Sequence, residues 1–239
     1  MTQIRSFLLP DLVDAKDLAA TVVVIDVLRA STTICRALSE GALFLKPFLG
    51  VEETFAFAHQ FKENKVVTGG ERKGIKVPGF DFGNSPLEYS QQKVKNRGIA
   101  FTSTNGTKAM HQCQFSDDVV IGSFCNLSAV CRYLAEKAEF DLVCAGTDGE
   151  ITLEDSVFAG AIVDVFAGQS SLKLNDQAEI CRSLWKMGSK NLVKCLQKSR
   201  GGRNLIQLDK EEDIKFAAQV DSLSIVPKLD IQAWKIEPA

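Results

Sequence analysis

The chain has 239 residues, 45% of them hydrophobic and 24% charged, and a formal net charge of −2. This length allows one large α/β domain or two small ones, with a core that needs no disulfide or zinc staple. The balanced composition excludes disordered, collagen-like and coiled-coil proteins, and the lack of excess basic charge argues against nucleic acid as a partner.

The cysteines and the N-terminus indicate a cellular location. The chain has 7 cysteines, no two of them in C-x-x-C spacing. Most lie in apolar runs, which is typical of reduced, buried thiols in a cytoplasmic protein. Residues 1–10 hold too short an apolar run for a signal peptide, and no run approaches the roughly 20 apolar residues of a membrane helix. We therefore expect a soluble, cytoplasmic protein without a membrane partner.

Short β-branched runs alternate with helical stretches along the first two thirds of the chain. In chain order, strands are predicted at residues 22–25, 43–48, 66–68, 99–102, 119–122 and 142–145. Helices are predicted over 31–40, 51–63, from Ser85 to before Gly98, over 126–137 and over 153–166. A loop without periodicity spans residues 69–86. This alternation predicts a three-layer α/β/α fold with a mainly parallel or mixed sheet.

The pattern becomes more helical after residue 166. Residues 176–200 are predicted as a helix that the stretch 199–202 breaks, followed by a helix over 210–220 and an edge strand over 223–226. We predict a single α/β domain over 1–239. Its core, residues 1–166, carries the site, and residues 167–239 form a more helical outer part.

Polar segments follow the predicted strands, where ligands bind in sheets of this type. These segments are residues 26–33, 69–74, 102–108, 122–123 and 146–150. Their carboxylates suit Mg²⁺, and their Gly, Ser and Thr turns aim backbone N–H groups at an anion. Arginine adds bidentate recognition of an oxyanion. Together they predict a site for a divalent cation and a polyanionic small molecule.

Asp26 is the residue hardest to explain structurally, because a carboxylate that ends four consecutive β-branched residues needs a partner. Glu71 and Arg72 also fit a solvated ion pair, and Thr152-x-x-Asp155 fits a capping box. Helix capping accounts as well as ligand contact does for three others: Ser31, Thr104 and Asn126. With 2 histidines in the chain, zinc or triad chemistry based on histidine is disfavoured.

Several of these segments share one pattern. They are 24–33 (VIDVLRASTT), 70–72 (GER), 80–86 (FDFGNSP), 102–107 (TSTNGT), 122–126 (GSFCN), 144–155, and 199–205 (SRGGRNL) with Asp213. In this pattern the chain resembles the 2-phosphosulfolactate phosphatases of coenzyme M biosynthesis. The resemblance spans about residues 22–221, and the Asp26 and Asn105 segments are its most specific parts.

The resemblance implies Mg²⁺-dependent hydrolysis of (R)-2-phospho-3-sulfolactate to 3-sulfolactate and phosphate, on a topology particular to the family. The expected metal ligands are Asp26, Asp148, Glu150 and Asp155. The expected catalytic residues are Asp26, Arg29 and Glu71, and Glu71 is a further candidate metal ligand. Expected substrate contacts are Arg29, Ser31, Thr32, Arg72, Ser103, Thr104, Asn105, Gly106, Lys108, Ser123 and Asn126, with Arg200 as a further candidate.

Two chemical routes stay open from the sequence. Asp26 attacks phosphorus and forms an aspartyl phosphate, or a Mg²⁺-bound water attacks while a carboxylate serves as base. Other functions also fit: a phosphatase for another phosphorylated hydroxy acid, a Mg²⁺-dependent lyase or isomerase of a phosphorylated carboxylic acid, or a non-catalytic anion-binding module. The apolar helix over 153–166 allows a homodimer, and the 69–86 loop is expected to close over the substrate.

Overall fold

The computed structural model describes residues 2–61, 65–168 and 171–239. Its strands form one 11-stranded sheet. In chain order they are β1 (Thr2–Phe7), β2 (Thr21–Ile25), β3 (Phe44–Phe48), β4 (Val66–Arg72), β5 (Ile75–Lys76), β6 (Gly98–Thr102), β7 (Asp118–Gly122), β8 (Glu139–Cys144), β9 (Leu172–Leu174), β10 (Pro227–Asp230) and β11 (Lys235–Pro238). Their spatial order is β5-β4-β6-β3-β11-β10-β7-β2-β8-β1-β9.

Helices cover both faces of this sheet. In chain order they are α1 (Ala30–Ser39), α2 (Val51–Ala58), α3 (Gln91–Val94), α4 (Gly106–Gln112), α5 (Leu127–Leu134), α6 (Leu153–Phe166), α7 (Asp176–Gly188), α8 (Leu192–Lys198), α9 (Arg200–Gln207) and α10 (Glu211–Ala217). Short 3-10 turns connect several of them. No helix in the three described ranges is long and apolar enough to cross a membrane.

The sheet is mixed and mostly parallel, and the predicted three-layer α/β class is confirmed. Strands β4, β6 and β3 pair in parallel, and so do β7, β2, β8, β1 and β9. The hairpin β10–β11 lies between these two groups and pairs antiparallel with β7 and with β3. The two parallel groups therefore run in opposite directions. The polar segments after the predicted strands would all lie at one edge of the sheet only if every strand ran in the same direction. The observed strands do not.

The alternation of side chains along β2 builds a core on each face of the sheet. Val22 and Val24 pack in a core that includes Ile34 of α1 and Met110 of α4. Val23 and Ile25 of the same strand face a second core formed with α5, α6 and α7. Because successive side chains of a strand point to opposite faces, one fully buried strand supplies both cores.

The packing of α1 and α4 explains how polar segments from both parallel groups still meet. Helix α4 follows β6 but contacts β2, and α1 follows β2 but contacts β3. The first turns of the two helices consequently lie side by side. A Cβ added to Gly106 would be 2.7 Å from Ala30 Cβ and 2.7 Å from Asp26 Oδ2. The carboxyl ends of β2 and β6 thus face one cleft.

Several element predictions for the first two thirds of the chain are wrong in detail. Strand β1 and helix α4 were not predicted. The predicted loop over 69–86 contains the end of β4 and the hairpin strand β5. The helix predicted from Ser85 is a 3-10 turn (Pro86–Glu88) followed by the four-residue α3. The end predicted for the second helix falls on residue 63, outside the described residues.

The C-terminal part departs further from its prediction. The helix predicted over 176–200 is two helices, α7 and α8, and the edge strand β9 was not predicted. The predicted break at 199–202 is in fact the start of α9, because the Ser199 hydroxyl accepts the Gly202 N–H at 3.0 Å and caps the helix. The edge strand predicted over 223–226 does not form; the strand begins only at Pro227, as β10, and lies in the interior of the sheet.

Candidate active site

A cleft of about 440 Å³ lies where β2, β4, β6 and β8 end. It is lined by six residues that the sequence analysis singled out: Asp26, Arg29, Glu71, Thr104, Asn105 and Asp148. Five polar lining residues were not predicted as site residues: Lys73, Asn84, Thr147, Asn204 and Gln207. Leu28, Leu205 and Leu208 supply apolar surface. The cleft thus combines charged groups, amides and an apolar wall within a space that suits a small organic molecule.

Asp26 lies immediately after β2, with 8% of its surface exposed. Its Oδ1 accepts the Ala30 N–H at 3.1 Å, and no hydrogen bond to Oδ2 occurs within the described ranges. Burial raises the pKa of Asp26 to about 7; the Glu71 and Glu154 carboxylates also raise it, whereas the Ala30 N–H and Arg29 lower it. Asp26 therefore presents a carboxyl oxygen to the cleft in an environment that favours a proton or a cation.

Arg29 is held in place on two sides. Its Nη1 donates to Asp213 Oδ2 at 2.7 Å, and its Nη2 donates to the Gly74 carbonyl at 2.7 Å. The Ser85 hydroxyl donates to the other Asp213 oxygen at 2.5 Å. Arg29 is 5% exposed and Asp213 is 1% exposed. The guanidinium is consequently pre-oriented in the cleft wall, with its remaining N–H donors free of protein partners among the described residues.

Glu71 organises two loops at the cleft. Its Oε1 accepts the Thr104 N–H at 2.7 Å, and its Oε2 accepts the Gly74 N–H at 2.6 Å and the Thr104 hydroxyl at 3.2 Å. Its side chain is buried, so the solvated ion pair considered for Glu71 and Arg72 does not form. The Arg72 guanidinium instead turns away from the cleft and donates to the Leu49 and Glu71 carbonyls and to Thr102 Oγ1.

Asp148 lies at the exposed rim of the cleft. Its backbone N–H donates to Asn105 Oδ1 at 3.2 Å, which joins the loops after β6 and β8. Its carboxylate pairs with Arg200 at 3.2 Å, and Glu150 pairs with the same guanidinium. Glu150 does not line the cleft. Arg200 thus engages two of the four predicted metal ligands at the surface.

Asp155 is buried beneath the cleft and links two loops. Its Oδ1 accepts the Val27 N–H at 2.8 Å, and its Oδ2 accepts the Gly146 N–H at 3.1 Å and the Thr152 hydroxyl at 3.0 Å. Burial and the neighbouring charges of Glu154 and Asp26 raise the pKa of Asp155 well above its usual value. Both carboxyl oxygens therefore have protein partners, although Thr152 and Asp155 do not form the predicted capping box.

Four buried polar residues serve the frame of the site. The Ser31 hydroxyl accepts the Asp26 N–H at 2.9 Å, and Arg29 rather than Ser31 occupies the N-cap of α1. The Thr32 and Ser123 hydroxyls are 2.6 Å apart. The Asn126 amide accepts the Ser123 N–H and donates to two carbonyls. None of the four lines the cleft.

Three predicted substrate contacts follow β6 without lining the cleft: Ser103, Gly106 and Lys108. Ser103 Oγ accepts the Thr107 N–H at 3.1 Å within the first turn of α4. Gly106 lies against Asp26 Oδ2, where a side chain has no room. Lys108 is exposed on α4. Their predicted roles in substrate binding stay predictions.

The structure does not gather the four predicted metal ligands into one cluster. Within residues 2–61, 65–168 and 171–239, no group of three or more His, Cys, Asp or Glu side chains is placed to hold a metal ion. Asp155 is engaged by backbone N–H groups, and Asp148 and Glu150 by Arg200. Two predicted ligands that line the cleft each keep one carboxylate oxygen without a hydrogen bond among the described residues, Oδ2 of Asp26 and Oδ1 of Asp148.

The sequence analysis missed three of these lining residues, Lys73, Asn204 and Gln207, for different reasons. Lys73 sits in the β4–β5 turn with a φ of 53°, in a segment predicted as an aperiodic loop. Residues 69–74 were among the polar segments that follow the predicted strands, and this was the available signal for Lys73. Asn204 and Gln207 belong to α9, whose start was taken for a break; the N-cap pattern Ser199-x-x-Gly202 was the available signal.

A second cavity, of about 560 Å³, lies far from these residues. Lys228, Asp230 and Glu237 of the C-terminal hairpin region line it together with Phe115 and Asp117. It is larger than the cleft but contains none of the predicted site residues. The cleft at the ends of β2, β4, β6 and β8, with its buried Asp26 and Arg29, remains the candidate active site.

Comparison with known proteins shows which family the chain belongs to. The sequence model of the 2-phosphosulpholactate phosphatase family matches residues 7–232. A probable 2-phosphosulfolactate phosphatase of Symbiobacterium thermophilum is 43% identical over 216 residues, which cover 89% of this chain and 93% of the relative. A probable 2-phosphosulfolactate phosphatase of Carboxydothermus hydrogenoformans is 40% identical over 217 residues, which cover 90% of this chain and 88% of the relative. The predicted resemblance is confirmed: the chain belongs to the 2-phosphosulpholactate phosphatase family, a family of phosphoric monoester hydrolases.

Proposed function

We propose that this protein hydrolyses the phosphate ester of (R)-2-phospho-3-sulfolactate in the cleft at the ends of β2, β4, β6 and β8. The observation that carries the proposal is the turn after β2. It presents a buried carboxyl, Asp26, and a buried guanidinium, Arg29, to the same small cavity. Family membership supplies the phosphate ester, and this pair supplies groups that suit an attack on it.

The charges that line the cleft call for an additional cation. Three carboxylates, those of Asp26, Glu71 and Asp148, face two cationic side chains, those of Arg29 and Lys73. The proposed substrate carries phosphate, carboxylate and sulfonate groups. Without a further positive charge, substrate and carboxylates would repel each other. We therefore retain Mg²⁺ as the proposed cofactor.

Asp26 fits the requirements of a Mg²⁺ ligand. Mg²⁺ commonly binds through one or two carboxylates together with substrate phosphates, so a dedicated protein cage is not required. Asp26 keeps Oδ2 available, and burial disfavours its charge unless a proton or cation is present. Asp148, at the rim of the same cleft, is the second proposed ligand. When bound, Mg²⁺ would neutralise charge on the transferring phosphoryl group.

The protein's own residues position the reaction. Arg29, fixed by Asp213 and the Gly74 carbonyl, directs its free N–H donors at phosphate oxygens. Glu71 holds the Thr104 backbone in place, so Thr104 and Asn105 keep a constant position at the cleft. Phosphoryl transfer depends mainly on such positioning and on charge neutralisation.

Asp26 has two chemically distinct roles open to it at this position. As nucleophile it forms an aspartyl phosphate, which water then cleaves, and the two displacements retain the configuration at phosphorus. As general base it takes a proton from the attacking water, and the single displacement inverts the configuration. The stereochemistry of hydrolysis of an isotopically chiral substrate distinguishes the two.

The proposal is tested by phosphate release from synthetic (R)-2-phospho-3-sulfolactate, with Mg²⁺ and with a chelator. We expect rapid release that the chelator stops and that Asp26→Asn lowers roughly 100-fold or more. The matched control is Asp117→Asn, an exposed carboxylate at the other cavity, which should retain wild-type rates. Full activity of Asp26→Asn would remove Asp26 from the reaction.

The substrate is tested separately with other phosphorylated hydroxy acids. Faster release from one of these than from phosphosulfolactate would keep the phosphatase chemistry and replace the substrate. Conversion of the organic product without release of inorganic phosphate would indicate the lyase or isomerase alternative. Tight binding without turnover would indicate an anion-binding protein.

A further inference from the structure

Lys73 differs from the other cation of the cleft. Arg29 is neutralised by Asp213 at 2.7 Å, whereas no Asp or Glu in the described ranges forms an ion pair with Lys73. The nearest lining carboxylate in sequence, Glu71, uses both its oxygens to accept N–H groups from Thr104 and Gly74. Lys73 therefore brings to the cleft an ammonium group that has no direct ion pair among the described residues.

The turn that carries Lys73 is fixed on both sides. The Lys73 N–H donates to Thr104 Oγ1 at 3.4 Å, and the carbonyl of the next residue, Gly74, accepts from Arg29. A Cβ added to Gly74 would lie 2.8 Å from Leu208 Cδ1, so the turn touches the end of α9. Lys73 is thus anchored beside α9 rather than projecting from a free loop.

Helix α9 adds neutral donors to the same region. Asn204 and Gln207 are three positions apart, so they occupy neighbouring places on one face of the helix, and both line the cleft. Neither side-chain amide has a hydrogen-bond partner within the ranges that the structure describes. The adjacent lining residues Leu205 and Leu208 are apolar. This part of the cleft thus supplies N–H donors and one ammonium without a carboxylate on α9.

We propose that Lys73, Asn204 and Gln207 form a subsite for the second tetrahedral anion of the substrate, the sulfonate, while Asp26 and Arg29 serve the phosphate. The inference rests on the proposed function and deepens it. A sulfonate presents three oxygens and a fixed single charge. An ammonium with three rotatable donors, helped by two amides, matches that arrangement better than a planar fork does.

The test compares 2-phosphosulfolactate with 2-phospholactate, which has a methyl group where the first has the sulfonated methylene. Lys73→Met should lower kcat/KM for phosphosulfolactate about 10- to 100-fold, mainly through KM, the range of a lost charge-assisted hydrogen bond. It should leave kcat/KM for phospholactate within a factor of about 3. Asn204→Leu with Gln207→Leu should shift selectivity in the same direction. The matched control is Lys76→Met, which alters an exposed lysine of β5 outside the cleft. It should leave kcat/KM unchanged for both substrates.

Two outcomes would overturn the subsite. Lys73→Met could lower kcat/KM equally for both substrates, or it could leave both values unchanged. Failure of the wild type to release phosphate from either compound would instead contradict the proposed function. The subsite is then judged by calorimetric binding of unreactive phosphonate analogues with and without the sulfonate. Loss of preference for the sulfonated analogue in Lys73→Met supports it, and equal binding by both proteins refutes it.

Discussion

The burial of the Asp26 carboxyl has a measurable consequence for the stability of the fold. Its pKa in the folded protein is about 7, whereas an unfolded chain releases the same proton near pH 4. Between these values the folded protein binds more protons than the unfolded chain. The free energy of unfolding therefore falls as pH rises through this window. Asp155, whose pKa is also raised by burial, contributes with the same sign.

We predict that Asp26→Asn reduces this pH dependence in the metal-free protein. An asparagine keeps an oxygen that accepts the Ala30 N–H but has no proton to lose. The slope of unfolding free energy against pH between about 5 and 7 should become shallower, by at most about 1.4 kcal/mol per pH unit. Urea unfolding at several pH values in the presence of a chelator measures it. Asp148→Asn, at the exposed rim, is the control, and identical slopes for wild type and Asp26→Asn would contradict the prediction.

At the scale of elements, Asp155 connects the start of α6 to the turn after β2. Removing its carboxylate leaves the Val27 and Gly146 N–H groups buried without their partner. We expect Asp155→Ala to lower the free energy of unfolding by roughly 2–4 kcal/mol, with or without Mg²⁺. Asp164 lies on the same helix, α6, and forms a partly exposed ion pair with Arg182 of α7. Asp164→Ala should lower the free energy of unfolding by about 1 kcal/mol or less.

Urea unfolding of both variants checks this prediction. An Asp155→Ala protein that is as stable as Asp164→Ala but has lost Mg²⁺ affinity would restore Asp155 to the metal site. The geometry of its three hydrogen bonds argues for the structural role, because a carboxylate that accepts N–H groups from two loops fixes both.

The elements differ in how well the sequence predicts them. The apolar helix α6 has its predicted bounds, and β2 is extended by one residue from its prediction, because long or β-branched apolar runs are strong local signals. Strand β9 has three residues, none of them fully buried, so it has no such signal. It exists because β1 offers it a parallel partner. Tertiary pairing of this kind leaves no trace in local periodicity.

The candidate site divides in the same way. Asp26 and Arg29 follow a well-predicted strand, and both line the cleft. Ser123 and Asn126 also follow a predicted strand, yet neither side chain faces the cleft. The Ser123 hydroxyl contacts that of Thr32, and the Asn126 amide accepts the Ser123 N–H. Sequence position identifies the edge of the sheet, but the packing of α1 against α4 decides which polar groups remain available there.

For the whole molecule, the hairpin β10–β11 is the element that joins the two parallel groups. It pairs with β7 on one side and with β3 on the other. Without it, both of these strands would become open edges with unpaired N–H and C=O groups, and edges of this kind promote aggregation.

A chain that ends at Val226 should therefore fail to form a stable monomer. We expect it to aggregate or to unfold without the cooperative transition of the full chain. A chain lacking only Ala239, which lies beyond β11, should behave as wild type. Size-exclusion chromatography and thermal unfolding followed by circular dichroism compare them. A soluble, cooperatively unfolding chain of residues 1–226 would show that the two groups hold together without the hairpin.

The ion pair between Arg29 and Asp213 joins positions 184 residues apart in the sequence. Contacts of such long range form late, because closing a long loop costs entropy before the contact can repay it. The Arg29 guanidinium, which we propose binds the phosphate, is thus oriented by α10. During synthesis, the turn after β2 emerges early but waits for α10, so a chain that is still incomplete would lack the oriented guanidinium that the proposed reaction needs.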